Sequence, residues 1–285
     1  MPLLGRQPAV ANFLGSYIAT LPVRPTAVVV VTAHWEEEVV AVSKAESPKL
    51  YFDYSGFPPE SYKYEYKAPG APALAERILS LLGAAGLKAR AETKRGWDHG
   101  VFVPMKLLIP EADVPLVAVS LRAGQKAEDQ VAIGRALAPL RDEGKRPLQW
   151  PCGTSRVRMR ALSLASPPLG PGVLIVGSGA SFHNFKYFFA RDGESRSKGE
   201  AHSRTFDNWL RQAVTDRSLE PDARIRQLCA WESAPSARES QPVGGAEHLM
   251  PLFACLGAAL GEAGVTVGEQ DETFGSLAMS QFEWR

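Results

Sequence analysis

The sequence predicts a single α/β domain in which helices flank a mixed, largely parallel β-sheet. Two runs rich in β-branched residues, 27–31 and 173–179, have the length and composition of fully buried strands in a parallel sheet. Between and after them, segments with apolar residues at helical spacing alternate with further short apolar runs, which is the pattern of an α/β fold. A chain of 285 residues is long enough to bury one large core.

Helices are predicted where apolar residues recur every three or four positions. Residues 8–21 begin at a proline, and residues 72–86 begin with proline and end with glycine, as helices commonly do. Segments 206–214 and 248–261 are also predicted to be helical. A further helix is predicted over 127–143, and the residues expected to face the core are Val131, Ile133, Leu137 and Leu140.

The remaining strands are predicted at 39–43, 87–93 and 114–121. Segment 51–70 (YFDYSGFPPESYKYEYKAPG) is too aromatic for a disordered linker and too irregular for a helix. We interpret it as an ordered loop followed by a strand in which Tyr62, Tyr64 and Tyr66 alternate. The segment either covers or lines a pocket, or it is a surface hairpin packed on the core.

Composition and charge exclude several classes of protein. The formal net charge is +1, without the concentrated basic face that binds nucleic acid. Cys152, Cys229 and Cys255 show no CxxC spacing, which fits a reducing compartment better than a disulfide framework. We find neither a signal peptide nor an apolar run of about 18 residues that could span a membrane. The expectation is a soluble, cytoplasmic protein with no membrane partner; nothing in the sequence sets its oligomeric state.

Residues 145–172 interrupt the α/β pattern. The segment is basic and rich in proline and glycine, and it separates a predicted helix from a strand that two to six residues normally connect. We interpret it as an atypical insertion. It is either a disordered surface loop, a basic loop for nucleic acid, or translated intron sequence.

Histidines mark the candidate site. His34, His99 and His183 follow or lie beside turns near predicted strand ends, and His248 opens a helix next to Glu247. Ligands bind at the carboxyl ends of strands in open α/β sheets, and neutral imidazole is a ligand for zinc and iron. Each histidine alone could be structural. The fifth, His202, lies among charged residues and is expected to be solvated.

Other motifs give no alternative chemistry. The GSG of residues 177–179 lacks the third glycine of a dinucleotide-binding loop. The sequence has no GxSxG motif, and no cysteine lies in a setting typical of a nucleophile.

Seven blocks carry a resemblance to a known family. They are TAHWE, YSGFPPESYKYEYKAPG, RGWDHGVFVPMKLLIPEADVPLVAVSL, GRALAPLRDEG, VLIVGSGASFHN, FDNWL and EHLMPLFACLGAA. In this order they resemble the class III extradiol ring-cleavage dioxygenases, in particular the DOPA 4,5-dioxygenase type. The resemblance covers nearly the whole chain apart from 145–172. It implies one catalytic domain over residues 1–285, one Fe(II) or Zn(II) per chain, and opening of a catechol ring with O2 beside the diol.

The resemblance also implies roles for individual residues. His34 and His248 match metal ligands. His183 matches an acid/base catalyst, and His99 matches a second catalytic histidine that contacts substrate or oxygen. The residues implied in substrate binding are Trp35, Tyr54, Phe57 and Asp98.

The chain departs from the family pattern at one point. Family members place a strand and a turn of the form SHGGGP, whose histidine is the first metal ligand, ahead of a segment like MPLLG. This sequence begins at MPLLG, so we expect a domain without the family's first strand and with weakened metal binding. Two alternatives remain open at this stage: a zinc-dependent hydrolase of similar α/β plan, and a non-catalytic, truncated paralogue or isoform.

Overall fold

A computed structural model of the chain describes residues 8–141, 172–267 and 276–285. Its centre is a five-stranded sheet in the order β3-β2-β4-β1-β5. Strand β1 is parallel to both of its neighbours, β4 and β5, whereas β2 is parallel to β3 and antiparallel to β4. The strands are β1 (Ala27–Glu37), β2 (Val40–Ser43), β3 (Ala89–Glu92), β4 (Leu116–Arg122) and β5 (Val173–Ser178).

Helices lie on both faces of this sheet, and a small antiparallel pair of strands follows the last helix. The helices are α1 (Pro8–Thr20), α2 (Pro72–Ala84), α3 (His99–Leu108), α4 (Ala127–Leu137), α5 (Phe185–Phe188), α6 (Gly193–Thr215), α7 (Pro221–Cys229), α8 (Ala237–Ser240) and α9 (Met250–Ala258). Short 3-10 helices occur at Pro59–Tyr62, Ala138–Arg141 and Trp231–Ser233. The antiparallel pair is β6 (Val265–Val267) and β7 (Gln281–Glu283).

Strand β1 separates two hydrophobic cores. Its side chains alternate between the faces of the sheet, so Val29 and Val31 pack in one core while Val28 and Val30 pack in the other. The first core contains side chains of α2, α4, α6 and α9, and the second contains those of α3. Because both faces are covered, residues 27–31 are completely buried.

Two glycines let α4 and α9 pack in close contact. A Cβ atom added at Gly134 would lie 1.9 Å from the Ala254 carbonyl oxygen, and one added at Gly257 would lie 2.2 Å from that of Val131. Neither distance is sterically possible, so the backbones can approach this closely only with glycine at both positions.

The predicted fold class is confirmed, and so is the buried face of the helix that begins at Ala127. The strand predicted around Tyr62–Tyr66 is wrong. The two adjacent prolines begin a 3-10 helix instead, and the following tyrosines pack against α3: Tyr64 contacts Phe102, and the Tyr66 hydroxyl donates to the Ile109 carbonyl. Because Tyr64 and Tyr66 pack on α3, residues 62–66 do not pair with a neighbouring strand.

The atypical insertion lies outside the described residues except for Gly172, as do the last two residues of the helix predicted over 127–143. In the part of the chain that the structure describes, no helix is long and apolar enough to cross a membrane.

Candidate active site

His34 lies where β1 leaves its regular pairing with β4. The register of the two strands shifts between Thr32 and Glu36, which is the signature of a bulge or irregularity. Inside this irregular stretch, the His34 backbone N–H donates to Thr32 Oγ1 at 3.2 Å. The site therefore begins at the carboxyl end of the central strand, where the regular ladder stops.

His99 is the first residue of α3, and its position depends on the cap of that helix. Asp98 is the N-cap: its carboxylate accepts from the Val101 N–H at 3.2 Å and from the Thr32 hydroxyl at 2.9 Å. Gly100 lets the helix come this close to β1, because a Cβ there would lie 2.5 Å from Thr32 Oγ1 and 2.8 Å from the His34 ring.

His183 and His248 are brought together by the loop after β5. The Ala180 N–H donates to the His248 carbonyl at 2.8 Å, and the His183 N–H donates to the Ser240 carbonyl at 2.9 Å. Gly179 permits the first contact, since a Cβ there would lie 2.1 Å from the His248 carbonyl oxygen.

The four histidine rings form one cluster. The ring centres of His34 and His99 are 3.9 Å apart, those of His34 and His248 are 4.8 Å apart, and those of His248 and His183 are 3.4 Å apart. Residues separated by as many as 214 positions thus meet at one edge of the sheet.

Each pair of histidines shares one carboxylate. Asp53 Oδ1 lies 2.7 Å from His99 Nδ1, and its Oδ2 lies 3.4 Å from His34 Nδ1. Glu247 Oε1 lies 2.9 Å from His248 Nδ1 and 3.3 Å from His183 Nδ1. An ionised carboxylate only accepts hydrogen bonds, so the two shorter contacts place the proton of His99 and of His248 on Nδ1 and leave Nε2 as the free nitrogen of both rings.

The electrostatics of the cluster favour neutral His34 and His248 beside ionised carboxylates. Burial, together with the neighbouring His99 and His248, lowers the pKa of His34 to about 3. Burial also lowers the pKa of His248, although Glu247 opposes the shift. Burial alone would raise the pKa of each carboxyl group. Hydrogen bonds from the histidines outweigh that effect and hold the pKa values of Asp53 and Glu247 below their ordinary range.

Arg95 supports the cluster from beneath. Its guanidinium donates to the His34 carbonyl at 2.9 Å and to Asp98 at 3.1 Å. The same group lies 5.0 Å from the ring centres of Trp35 and Tyr51, one cation between two aromatic faces. The arrangement ties the backbone of His34 to the cap of α3.

Aromatic side chains of the 51–62 segment lie beside His99. The Tyr54 ring is 5.4 Å from the His99 ring and 5.3 Å from that of Phe57. The Tyr54 hydroxyl donates to the Ser61 carbonyl, and burial with the neighbouring Tyr64 and Tyr62 raises its pKa to about 12. Tyr54 therefore stays protonated at neutral pH and offers an apolar face to the histidines.

A cavity of about 650 Å³ runs along the outer edge of β5 and reaches His248. Among the described residues, β5 has a sheet neighbour, β1, on one side only. The cavity walls are mostly apolar and come from α1, β5, α9 and β7, including Phe13, Ile175, Leu252 and Phe282.

Comparison with known proteins identifies the family. Residues 13–153 match the family described as the catalytic LigB subunit of aromatic ring-opening dioxygenase. The 4,5-DOPA dioxygenase extradiol of Beta vulgaris is 33% identical over 239 residues, covering 83% of this chain and 74% of that protein. The chain belongs to the LigB family of class III extradiol dioxygenases.

Other relatives agree with this assignment. The 4,5-DOPA dioxygenase extradiol of Escherichia coli K12 is 30% identical over 260 residues, covering 91% of this LigB-family chain and 82% of that protein. Dioxygenase tasH of Hapsidospora irregularis is 36% identical over 244 residues, and the match spans 83% of this chain and 65% of that protein. A crystal structure of an uncharacterised protein from Escherichia coli K12 aligns with a TM-score of 0.67 at 25% identity, covering 95% of this chain and 91% of that one.

The structure brings together most of the predicted site residues. His34, His99, His183 and His248 form the cluster, and Tyr54 contacts it through His99 while Phe57 contacts Tyr54. His202 lies elsewhere, on α6, with Nδ1 3.0 Å from Ser236 Oγ, so it is hydrogen-bonded and half-buried rather than simply solvated.

Trp35 and Asp98, which the resemblance places among the substrate-binding residues, are buried instead. Trp35 is 3% exposed, and its indole N–H donates to Glu37 Oε1. Asp98 is 1% exposed, and its oxygens accept from Thr32, Val101 and Arg95. These positions favour support of the histidines over direct contact with a substrate.

Sequence reasoning missed the residues that orient the histidines. Asp53 was visible only as an acid within an aromatic loop, Glu247 only as a neighbour of His248, and Arg95 only as part of a turn. A charged residue embedded in an aromatic segment is the one signal that could have drawn attention to Asp53.

Proposed function

We propose that this chain is the catalytic domain of an extradiol dioxygenase, which opens the ring of a catechol with O2 by using one divalent metal. The observation that carries the proposal is the convergence of four histidines, each with its Nδ1 beside a carboxylate. Family membership supports the dioxygenase chemistry, and the names of the curated relatives support a catechol substrate.

The donor set fits a metal such as Fe(II) or Zn(II). A metal requires neutral imidazole, and the lowered pKa values of His34 and His248 keep both rings neutral. Metal-binding histidines commonly donate their other ring N–H to a carboxylate, which Asp53 and Glu247 provide here. We therefore propose that His34 and His248 hold the metal.

We further propose that the remaining protein ligand comes from a strand beside β5. Helix α1 leads into β1, which is parallel to β5, and a helix in a parallel sheet joins two parallel strands. The apolar cavity runs along the side of β5 on which such a strand would lie, and it reaches His248 at the carboxyl end of β5. This position agrees with the SHGGGP histidine that the resemblance implies.

When bound, the metal supplies the coordination positions at which a catechol and O2 are held and activated. The residues of this chain supply the rest. His183 is positioned to take a proton from a catechol hydroxyl and to return it, because Glu247 holds its Nδ1 and leaves Nε2 available. Asp53 orients His99 in the same manner on the opposite side of the cluster. Tyr54 and Phe57 provide aromatic surface beside His99.

We propose a supporting role for Trp35 and Asp98 instead of the substrate-binding role that the resemblance implies. Both are buried beneath His34 and contact Arg95, so we propose that they fix the histidines and do not touch the substrate.

The proposal is tested by loading the purified chain with Fe(II) under anaerobic conditions and following O2 consumption with catechols. We expect one iron per chain and catechol-dependent O2 uptake. His34→Ala and His248→Ala should each weaken iron binding at least about 100-fold, more than the loss of an orienting partner. His202→Ala is the matched control, since this histidine lies outside the cluster and should leave iron content and uptake unchanged.

Other outcomes decide between the remaining classes of protein. Zinc binding without O2 uptake, together with hydrolytic activity, would favour the zinc hydrolase, and failure to bind either metal would favour a non-catalytic protein. A version of this protein with an SHGGGP-like strand added before residue 1 should bind iron more tightly than the 285-residue chain. Equal affinities would contradict the proposed source of the third ligand.

A further inference from the structure

The most exposed aromatic side chains of the described residues lie in two segments next to the histidine cluster. Normally only scattered apolar side chains are exposed, and a concentrated group marks a binding surface. Here five aromatic rings are between 37% and 73% exposed, and all belong to residues 51–62 or 185–189. We call this group the aromatic rim; its members are Tyr51, Phe57, Tyr62, Phe185 and Phe189.

Ring contacts connect the aromatic rim to the cluster on both sides. Beyond His183, the ring centre of Phe185 lies 4.6 Å away in an edge-to-face contact, and that of Phe189 lies 5.5 Å further on. Beyond His99, Tyr54 connects to Phe57 with a spacing of 5.3 Å. The four histidines are thus the middle of an unbroken series of aromatic contacts that ends in exposed phenylalanines.

Phe185 is held in this position by the fold. Its short helix is capped by Asn184, whose side chain accepts from the Lys186 N–H at 3.0 Å and donates to the Glu239 carbonyl at 2.8 Å. Tyr187, two positions later, is buried and anchors the other side of the helix. Phe185 therefore faces solvent from a fixed backbone, and it remains against His183.

Four charged groups next to the aromatic rim already have contacts of their own. Asp53 and Glu247 contact the histidines. The Lys186 ammonium lies 5.2 Å from the centre of the Tyr187 ring, and Arg95 is bonded to Asp98. A substituent that extends past His183 therefore meets the aromatic ring of Phe185 first, at the contact that this ring makes with His183.

We propose that the site selects catechols with an apolar ring substituent, and that Phe185 is the residue that determines this preference. This inference rests on the proposed function for the identity of the catechol ring. An alkyl or aryl group in contact with Phe185 is removed from water, whereas a carboxylate or ammonium at the same place loses hydration without gaining a partner.

The test compares two catechols of matched length, 4-propylcatechol and 3-(3,4-dihydroxyphenyl)propanoate. Equilibrium dissociation constants are measured anaerobically with the zinc-loaded protein, and kcat/KM is measured separately with the iron-loaded protein. We expect the apolar compound to be favoured at least about tenfold in both measurements. The two methylenes are common to both compounds, so the difference comes from the terminal methyl group, which gains by burial, and from the carboxylate, which loses hydration without gaining a partner.

Variants at position 185 test whether Phe185 causes the preference for the apolar catechol. Phe185→Leu should retain it, Phe185→Ala should bring the ratio close to one, and Phe185→Lys should reverse it in favour of the carboxylate. Val265→Ala is the control, since it removes an exposed apolar side chain of β6, outside both segments of the aromatic rim. It should leave the ratio unchanged.

The two readouts keep the inference separate from the proposed function. An apolar preference in binding without O2 uptake would support the inference and contradict the dioxygenase proposal. Uptake with equal kcat/KM for both catechols, or a ratio that Phe185→Ala does not change, would overturn the inference and leave the dioxygenase proposal in place.

Discussion

Asp98 decides between two accounts of the site. The resemblance makes it a substrate-binding residue, whereas the structure buries it between β1, Arg95 and the first turn of α3. Asp98→Ala removes every one of these contacts at once. If the residue supports the histidines from beneath, its loss should appear first as a loss of folding stability.

The expected size of that loss follows from three contacts. Removing an N-cap costs about 1 kcal/mol. The fully buried Thr32 hydroxyl loses its acceptor, which costs about 1–3 kcal/mol. Arg95 loses a carboxylate at 3.1 Å, and since its side chain is partly exposed this adds only about 1 kcal/mol. We expect Asp98→Ala to lower the free energy of unfolding by about 3–5 kcal/mol.

Guanidinium denaturation of the metal-free protein at pH 7 measures this loss. Asp98→Asn is the matched variant, because its carbonyl oxygen can still accept from Thr32 and Val101, so it should lose only about 1–2 kcal/mol. A loss below about 1 kcal/mol for Asp98→Ala would refute the supporting role. A raised KM for catechols in Asp98→Asn at unchanged stability would instead favour direct contact with the substrate.

Two further predictions concern stability away from the histidines. Glu92 accepts from the backbone N–H groups of Lys94 and Arg95 and from Arg90, which lowers its pKa to about 2. The contribution of Glu92 to stability is therefore complete above the ordinary pKa of 4.5 and is lost as the pH falls toward 2. At pH 7 we expect the free energy of unfolding of the wild type to exceed that of Glu92→Gln by about 1 kcal/mol, after allowance for solvent screening. Denaturation measured between pH 5 and 3 should show this difference shrinking as the pH falls. Gly134→Ala should cost about 2–3 kcal/mol because its Cβ would overlap the α9 backbone, whereas Gly83→Ala, on an open helix surface, should be neutral or stabilising in the same denaturation assay.

The fold could be predicted because its signals are local. The 27–31 run is buried on both faces, so it needs β-branched residues throughout, and Val131, Ile133, Leu137 and Leu140 reveal the inner face of a helix by their spacing alone. The error at Tyr62–Tyr66 has the opposite origin. Alternating tyrosines predict a strand only if a neighbouring strand is available, and the packing of Tyr64 and Tyr66 against α3 is not written in their spacing.

The candidate site could be predicted only in part, for a similar reason. Histidines near strand ends can be found in the sequence because strand ends can be found. Their partners cannot: Asp53 reaches His99 across 46 positions and Gln125 reaches Glu247 across 122, and no periodicity encodes either contact. Nor does the sequence alone show that Asp98 points into the interior, because an N-cap and a substrate ligand call for the same type of residue.

Each of the two carboxylates in the cluster contacts two histidines for which different roles are proposed. Asp53 binds one metal-ligand candidate and one catalytic candidate, His34 and His99, and Glu247 does the same for His248 and His183. A change in charge on one ring therefore alters the hydrogen bonding of the second ring, because both contact the same carboxylate. A metal bound at Nε2 of one ring would make the Nδ1–H of that ring a stronger donor to the shared carboxylate, so metal binding and the protonation of the partner histidine would be coupled. In the proposed site, Asp53 and Glu247 therefore each connect a candidate metal ligand to a candidate catalytic histidine.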